Sequence, residues 1–177
     1  MNLPDLAERI DSKRAQLAVI GLGYVGLPVA CLFAQAGFNV VGIRRSQDKV
    51  AMINRGQCPI EGKEPGLAEL VARVVSQGRL VATTDYEPCR RAQVVLVAVE
   101  TPVDPTSKKP HYEALRGALT DLGRHLSTGT LVIIESTVAP GTMAGLVQPL
   151  LEQTSGLREG EGFYLVNCPE RVMPGKL

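Results

Sequence analysis

The sequence predicts an α/β fold, a doubly wound parallel six-stranded sheet in three layers. Two observations carry this prediction. Six short runs are apolar and rich in branched residues, and connections that mostly contain helical patterns separate them. The predicted strands are residues 17–20, 39–43, 80–83, 94–99, 131–135 and 163–167. Because right-handed crossovers join parallel strands, we expect helices on both faces of the sheet.

The predicted helices are amphipathic. Leu3, Leu6 and Ile10 recur at helical spacing, which indicates a helical lead-in over residues 1–16. Two longer patterns follow, one over 67–75 that stops at Gly78 and one over residues 112–126.

Composition and charge exclude several classes of function. The chain has 177 residues, enough for one buried core, so residues 17–177 are expected to form one domain. The net charge is +1 and the basic residues are scattered, which argues against nucleic-acid and membrane-surface partners. The charged residues within 1–16 leave no apolar signal segment, so we expect a cytoplasmic protein.

A glycine-rich turn is the most informative motif. The first strand runs into Gly21-Leu22-Gly23-Tyr24-Val25-Gly26, and an apolar helical pattern follows. Gly21 permits a tight turn, Gly23 lets the backbone approach a pyrophosphate, and Gly26 lets the helix pack on the strand. The motif predicts a Rossmann-like dinucleotide-binding domain over residues 17–177, with the pyrophosphate at the helix N-terminus.

The cysteines and histidines do not indicate a metal site. Cys31, Cys58, Cys89 and Cys168 lack Cys-x-x-Cys spacing, and both histidines stand apart from them. We therefore expect neither structural zinc nor a disulfide framework. Cys31 and Cys168 are predicted to pack against apolar neighbours.

Four segments, in order, resemble the nucleotide-sugar 6-dehydrogenases, the family of UDP-glucose, GDP-mannose and UDP-N-acetylmannosamine dehydrogenases. They read GLGYVGLP at 21–28, TPVD at 101–104, ESTVAPGT at 135–142 and CPERVMPG at 168–175. Residues 59–67 also resemble the family's acidic loop. The last motif is most similar to that of enzymes acting on UDP-N-acetylmannosamine, which favours an N-acetylhexosamine substrate.

The resemblance implies oxidation of the C6 hydroxyl of a UDP-hexose to the uronate. Two NAD molecules act in succession, with covalent intermediates on a cysteine. It also implies a homodimer for the full-length enzyme. The alternative is a stand-alone module that binds or senses NAD(P) without catalysis. A short-chain dehydrogenase is disfavoured, since no Tyr-x-x-x-Lys is present.

The resemblance also assigns cofactor roles. Tyr24 and Val25 would lie along the pyrophosphate, and Thr101 and Thr137 would meet the cofactor. Both threonines follow predicted strands, at the edge where α/β sheets bind ligands. The alternative for Thr137 is a side chain that caps the following helix.

Catalytic and substrate roles are implied for Thr137 and for the last motif. Thr137 could hold a catalytic water, and Glu170 would lie near the nicotinamide and accept a proton or orient that water. Arg171 and Val172 match positions that contact substrate. The alternative for Glu170 is a loop carboxylate paired with Arg171.

Arg44 departs from the expected pattern. A dinucleotide fold places an acid at the end of the second strand, about 20 residues beyond the first glycine, to hold the adenosine ribose. Here that position is Arg44, followed by Arg45 and Ser46. Two guanidinium groups and a hydroxyl suit a 2′-phosphate and hence NADP, whereas the resemblance implies NAD, which we place first. The alternative is a solvated Arg44, with the ribose bound by Lys49 and backbone groups.

The family's nucleophilic cysteine is not among these residues. In the family it lies, with a lysine and an asparagine, in a middle helix and a second nucleotide-binding domain, and none of the four cysteines here matches it. We therefore expect these 177 residues to bind a dinucleotide and to be inactive as a dehydrogenase by themselves.

Overall fold

The computed structural model describes residues 3–62 and 64–169, which contain six parallel strands. They are β1 Gln16–Ile20, β2 Asn39–Ile43, β3 Leu80–Thr83, β4 Val94–Val97, β5 Thr130–Ile134 and β6 Phe163–Asn167. Their order across the sheet is β3-β2-β1-β4-β5-β6. Each predicted strand is present, although β4 ends sooner than the apolar run suggested. The doubly wound parallel sheet is thus confirmed.

One helix precedes β1, and the others lie in the connections between strands, except that only a 3₁₀ turn joins β3 to β4. The helices are α1 Leu3–Asp11, α2 Gly26–Gln35, α3 Gln47–Asn54, α4 Leu67–Ser76, α5 Glu113–Gly123 and α6 Gln148–Ser155. A 3₁₀ turn covers Glu87–Arg91, and a π-helical turn, Met143–Val147, runs into α6. Within the described residues, every helix is too short or too polar to cross a bilayer.

The core lies on both faces of the sheet because the strands alternate. In β1, Leu17 and Val19 enter one buried cluster, while Ala18 and Ile20 enter the other. Residues of α1, α2, α3 and α4 complete the first cluster, and residues of α5 and α6 complete the second. Parallel strands buried on both faces require this arrangement, which gives the three predicted layers.

Two cysteine predictions have different outcomes. Cys31 lies in α2 and is fully buried, as predicted. Cys168 is exposed, so the prediction that it packs against apolar neighbours is wrong. It follows β6, an edge strand whose last two residues are themselves exposed, and its backbone N–H donates to the Ile134 carbonyl at 2.9 Å. Among the described residues, this edge position leaves few neighbours that could cover the thiol.

Candidate functional site

A cleft of about 700 Å³ opens at the carboxyl ends of β1, β2 and β4. Its walls are residues 20–23 at the end of β1, residues 43–46 at the end of β2, residues 98–100 after β4 and one face of α5. The chain leaves β1 towards β2 on one side, and β4 lies on the other, so this is the point at which the strand order reverses. Open α/β sheets bind ligands at this point.

The three glycines of the turn serve different purposes. Gly21 has a φ of +98°, and a Cβ there would meet the Ala98 carbonyl at 2.5 Å. A Cβ on Gly26 would overlap the carbonyl oxygen of Gly21. Gly23 differs, because no described atom lies within 4 Å of the position its Cβ would take. The fold therefore requires Gly21 and Gly26, whereas Gly23 leaves open space above the turn.

The N-terminus of α2 is open to an anion. Its N-cap residue, Val25, provides no side-chain hydrogen bond, and the first turn contains no acidic residue. The turn below is held by backbone bonds, from the Gly21 N–H to the Ile43 carbonyl and from the Gly23 N–H to the Gly21 carbonyl, both 2.9 Å. The Leu27 N–H donates to the Gly23 carbonyl at 3.1 Å and Pro28 has no N–H, so the helix dipole and the N–H groups that precede Leu27 are what favour a negatively charged group here.

Tyr24 connects the turn to the loop between α3 and α4. Its side chain is 48% exposed, and its hydroxyl donates to the carbonyl of Glu61. A Cβ on Gly62, whose φ is +113°, would lie 3.7 Å from that hydroxyl oxygen. Tyr24 therefore braces one rim of the turn. Contact of Tyr24 or of half-buried Val25 with a pyrophosphate stays a prediction.

Arg44 is held inside the cleft. Its guanidinium is half-buried and donates to the Leu22 carbonyl within the glycine-rich turn. Burial lowers the pKa of this guanidinium from its usual value. The side chain of Arg44 is therefore not fully solvated, and the contacts of Arg44 and Lys49 with the cofactor stay predictions.

The next residues complete this end of the cleft. Arg45 is exposed, and its Nη2 lies 3.9 Å from Oε1 of Glu100 across the cleft. Ser46 caps α3 by accepting the Lys49 backbone N–H at 3.4 Å. Lys49 is not among the described residues that line the cleft, so a direct role at the ribose stays a prediction.

Thr101 and Thr137, predicted to share the cofactor, are brought together. The Thr101 hydroxyl donates to the Thr137 carbonyl at 2.7 Å, and the Ser136 hydroxyl donates to the Val99 carbonyl at 2.7 Å. These bonds join the segments after β4 and β5. Thr137 is exposed, and the next helical turn begins only at Met143, too far along the chain for Thr137 to cap it.

Tyr112 also links the chain that follows β4 to the segment that follows β5. This role was not predicted from the sequence. The hydroxyl oxygen of Tyr112 accepts the Ala139 backbone N–H at 2.9 Å and lies 3.2 Å from the hydroxyl of buried Thr142. The residue lies just before α5, and no local pattern distinguishes it from an ordinary core tyrosine. Only the fold places it under the segment that contains Thr137.

The contribution of α5 to the wall of the cleft was not predicted from the sequence either. Five residues of this helix line the cleft: Glu113, Ala114, Gly117, Ala118 and Asp121. The available signal was the small residues at 114, 117 and 118, which share a helix face and leave room for a ligand. Tyr86 lies at the same end; burial, assisted by the Asp121 carboxylate, raises the pKa of Tyr86 to about 12.

Glu170, Arg171 and Val172 lie outside the described residues, and their implied roles stay predictions. The same holds for the ligand contacts of Thr101 and Thr137, whose positions are described.

The fold and the cleft define a doubly wound dinucleotide-binding domain. The chain belongs to the UDP-glucose/GDP-mannose dehydrogenase family, since residues 15–177 match the model of that family's NAD binding domain. NAD is therefore the cofactor that the family assigns to this domain.

Named relatives and solved structures agree with this assignment. The chain is 39% identical to the UDP-N-acetyl-D-mannosamine dehydrogenase of Pyrococcus horikoshii, over 92% of this chain and 38% of that protein. It is also 39% identical to a UDP-glucose 6-dehydrogenase of Haloferax volcanii, over 90% of this chain and 37% of that protein.

Among solved structures, an NDP-N-acetyl-D-galactosaminuronic acid dehydrogenase from Methanosarcina mazei matches with a TM-score of 0.89 and 39% identity. That match covers 97% of this chain and 38% of the other. The chain thus spans less than two-fifths of the length of these relatives.

Proposed function

We propose that this domain provides the NAD site of a nucleotide-sugar 6-dehydrogenase that oxidises the C6 hydroxyl of a UDP-hexose to the uronate. Two NAD molecules accept the two hydrides in succession. The observation that carries the proposal is the space above Gly23, next to the open N-terminus of α2 at the reversal point of the sheet. Residues 17–177 form the binding domain, and residues 1–16 lead into it.

Different residues along the cleft contact different parts of the cofactor. The N-terminus of α2 binds the pyrophosphate, with Tyr24 and Val25 beside it. Thr101 and Thr137 contact the nicotinamide half, because the bond between them fixes both segments near the same strand ends. Thr137 also holds the catalytic water together with Glu170.

UDP-N-acetylmannosamine is the proposed substrate, and Arg171 and Val172 contact it. The support is the motif at 168–175 and two relatives with that printed activity, from Pyrococcus horikoshii and Campylobacter jejuni, at 39% and 38% identity. Relatives named for UDP-glucose and GDP-mannose, at 39% and 36%, make the sugar the point to test. The whole enzyme is expected to be a cytoplasmic homodimer.

Calorimetric titration of the 177-residue chain with NAD tests the cofactor site. We expect one NAD bound per chain and no steady NADH formation with any UDP-sugar. Failure to bind NAD contradicts the proposal. Steady turnover contradicts the expectation that the nucleophile lies outside these residues.

A chimera tests the reaction. The aligned N-terminal region of the Pyrococcus horikoshii enzyme is replaced by the matching 162 residues of this chain. We expect two NADH per UDP-N-acetylmannosamine, and lower kcat/KM with UDP-glucose and GDP-mannose. If the chain binds NAD but the folded chimera is inactive, the stand-alone binding module becomes the better explanation.

A further inference from the structure

We propose that the ribose end of the cleft accepts a phosphate on the adenosine 2′ position, so that this domain binds NADP as well as NAD. The proposal rests on the proposed function, since both concern the same cleft. It extends that function to a second cofactor, and the reason is the chemistry at the end of β2.

The end of β2 lacks the group that normally selects NAD. A carboxylate there binds the ribose hydroxyls and repels a 2′-phosphate. In this chain Arg44, Arg45 and Ser46 occupy that edge of the cleft. The carboxylates among the described lining residues are Glu100, Glu113 and Asp121, which come from the β4 and α5 side. A 2′-phosphate next to β2 therefore meets guanidinium groups.

Arg44 is already positioned for this contact. One of its donors is bound to the Leu22 carbonyl, which leaves the rest of its five N–H groups for a ligand. The bond fixes the cation between the glycine-rich turn and the end of β2, where the adenosine ribose has to lie if the pyrophosphate sits on α2. A half-buried cation also attracts an anion more strongly than a fully hydrated one.

Arg45 and Ser46 can add to the contact. Arg45 is 85% exposed, and its Glu100 partner lies at 3.9 Å and is 76% exposed, so this pair is weak. A phosphate monoester carries a charge of about −1.5 to −2 and competes well for such a guanidinium. The Ser46 oxygen accepts the Lys49 N–H, which leaves its own hydroxyl hydrogen to donate to a phosphate oxygen.

The positions of Arg44 and Arg45 support the proposal, whereas the overall charge of the cleft does not. Its three carboxylates outnumber the two guanidinium groups, so general attraction of anions is not expected. A bidentate contact from a fixed arginine is local and specific. The test must therefore separate a 2′-phosphate contact from a nonspecific charge effect and from a purely structural role of Arg44.

The experiment measures the dissociation constants of NAD, NADP, 5′-AMP and 2′,5′-ADP for the 177-residue chain by calorimetry. We expect NADP to bind no more than about tenfold more weakly than NAD, and 2′,5′-ADP to bind more tightly than 5′-AMP. Arg44→Asp is expected to weaken NADP about 100-fold and NAD far less, because only the loss of the bond to the Leu22 carbonyl affects both dinucleotides. Arg44→Lys keeps the charge and should lose less NADP affinity.

Two further variants complete the design. Arg45→Ala removes a side chain that is 85% exposed, and should weaken NADP about tenfold and NAD much less. Arg73→Ala removes an exposed arginine of α4 that does not line the cleft, and should change neither affinity.

Three results overturn the proposal. In the first, the wild-type chain binds NADP more than about tenfold more weakly than NAD. The cleft is then a site for NAD that has no favourable contact for a 2′-phosphate. In the second, Arg44→Asp and Arg45→Ala weaken NAD and NADP equally, which shows that these arginines only brace the turn. In the third, neither dinucleotide binds, and the proposed function fails with it.

Discussion

The two sides of the cleft are built in different ways. The turn side, residues 21–26, is one contiguous segment whose shape depends on positions without side chains. The loop side, residues 99–101 with residues 136–142, depends on hydrogen bonds between segments far apart in the chain, such as Thr101 to Thr137. We therefore expect substitutions on the turn side to act through steric overlap, and those on the loop side to act through the loss of hydrogen bonds.

The largest effect is expected for Gly26→Ala on the turn side. The new methyl group would overlap the Gly21 carbonyl, which is backbone and cannot move aside cheaply. We expect a loss of about 3 kcal/mol or more in the free energy of unfolding, measured by urea denaturation. Gly117→Ala in α5 is the control, since its Cβ meets no atom within 4 Å, and it should be neutral or stabilising. Equal stability of the two variants would contradict the steric argument.

Gly23→Val should separate binding from folding in the same turn. Open space surrounds the Gly23 Cβ position, so we expect the free energy of unfolding to change by less than about 1 kcal/mol. The side chain would occupy the proposed pyrophosphate position, so NAD affinity should fall at least about 100-fold by calorimetry. Retained NAD affinity would show that the phosphate lies elsewhere.

Tyr112→Phe tests the loop side. It removes the hydroxyl that accepts the Ala139 N–H and meets the Thr142 hydroxyl. We expect a loss of about 1–2 kcal/mol in thermal or urea unfolding, because two polar partners lose one contact each. Tyr164→Phe on β6 removes a hydroxyl outside this network and should cost less. Equal costs would mean that the network contributes little.

Thr101→Val should have the smallest effect on stability. The substitution keeps the shape of the side chain and removes its bond to the Thr137 carbonyl, at an exposed site where water can replace the donor. We expect a loss of about 0.5–1 kcal/mol, partly recovered by Thr101→Ser. Thr106→Val in the neighbouring exposed loop is the matched control. If the free energy of NAD binding is reduced by more than the free energy of unfolding, the result would support the proposal that Thr101 contacts the cofactor.

The strands were predictable for a simple reason. Each is a short apolar run bounded by polar or glycine-containing segments, and burial on both faces requires that composition. The sequence patterns over α3 and α6 indicate a helix less clearly. α3 is largely polar and begins at the Ser46 cap, while α6 continues directly from a π-helical turn, so neither shows a long apolar stripe.

The sequence alone determined the order of the elements and the glycine-rich turn, because hydrophobic periodicity and backbone sterics act over a few neighbouring residues. The tertiary structure decided the environment of Arg44, the junction of Thr101 with Thr137, the α5 wall and the exposure of Cys168. Those features depend on strand order, which brings the ends of β2, β1 and β4 side by side and leaves β6 at the edge. Contacts between groups so distant in the chain have no local pattern from which they can be read.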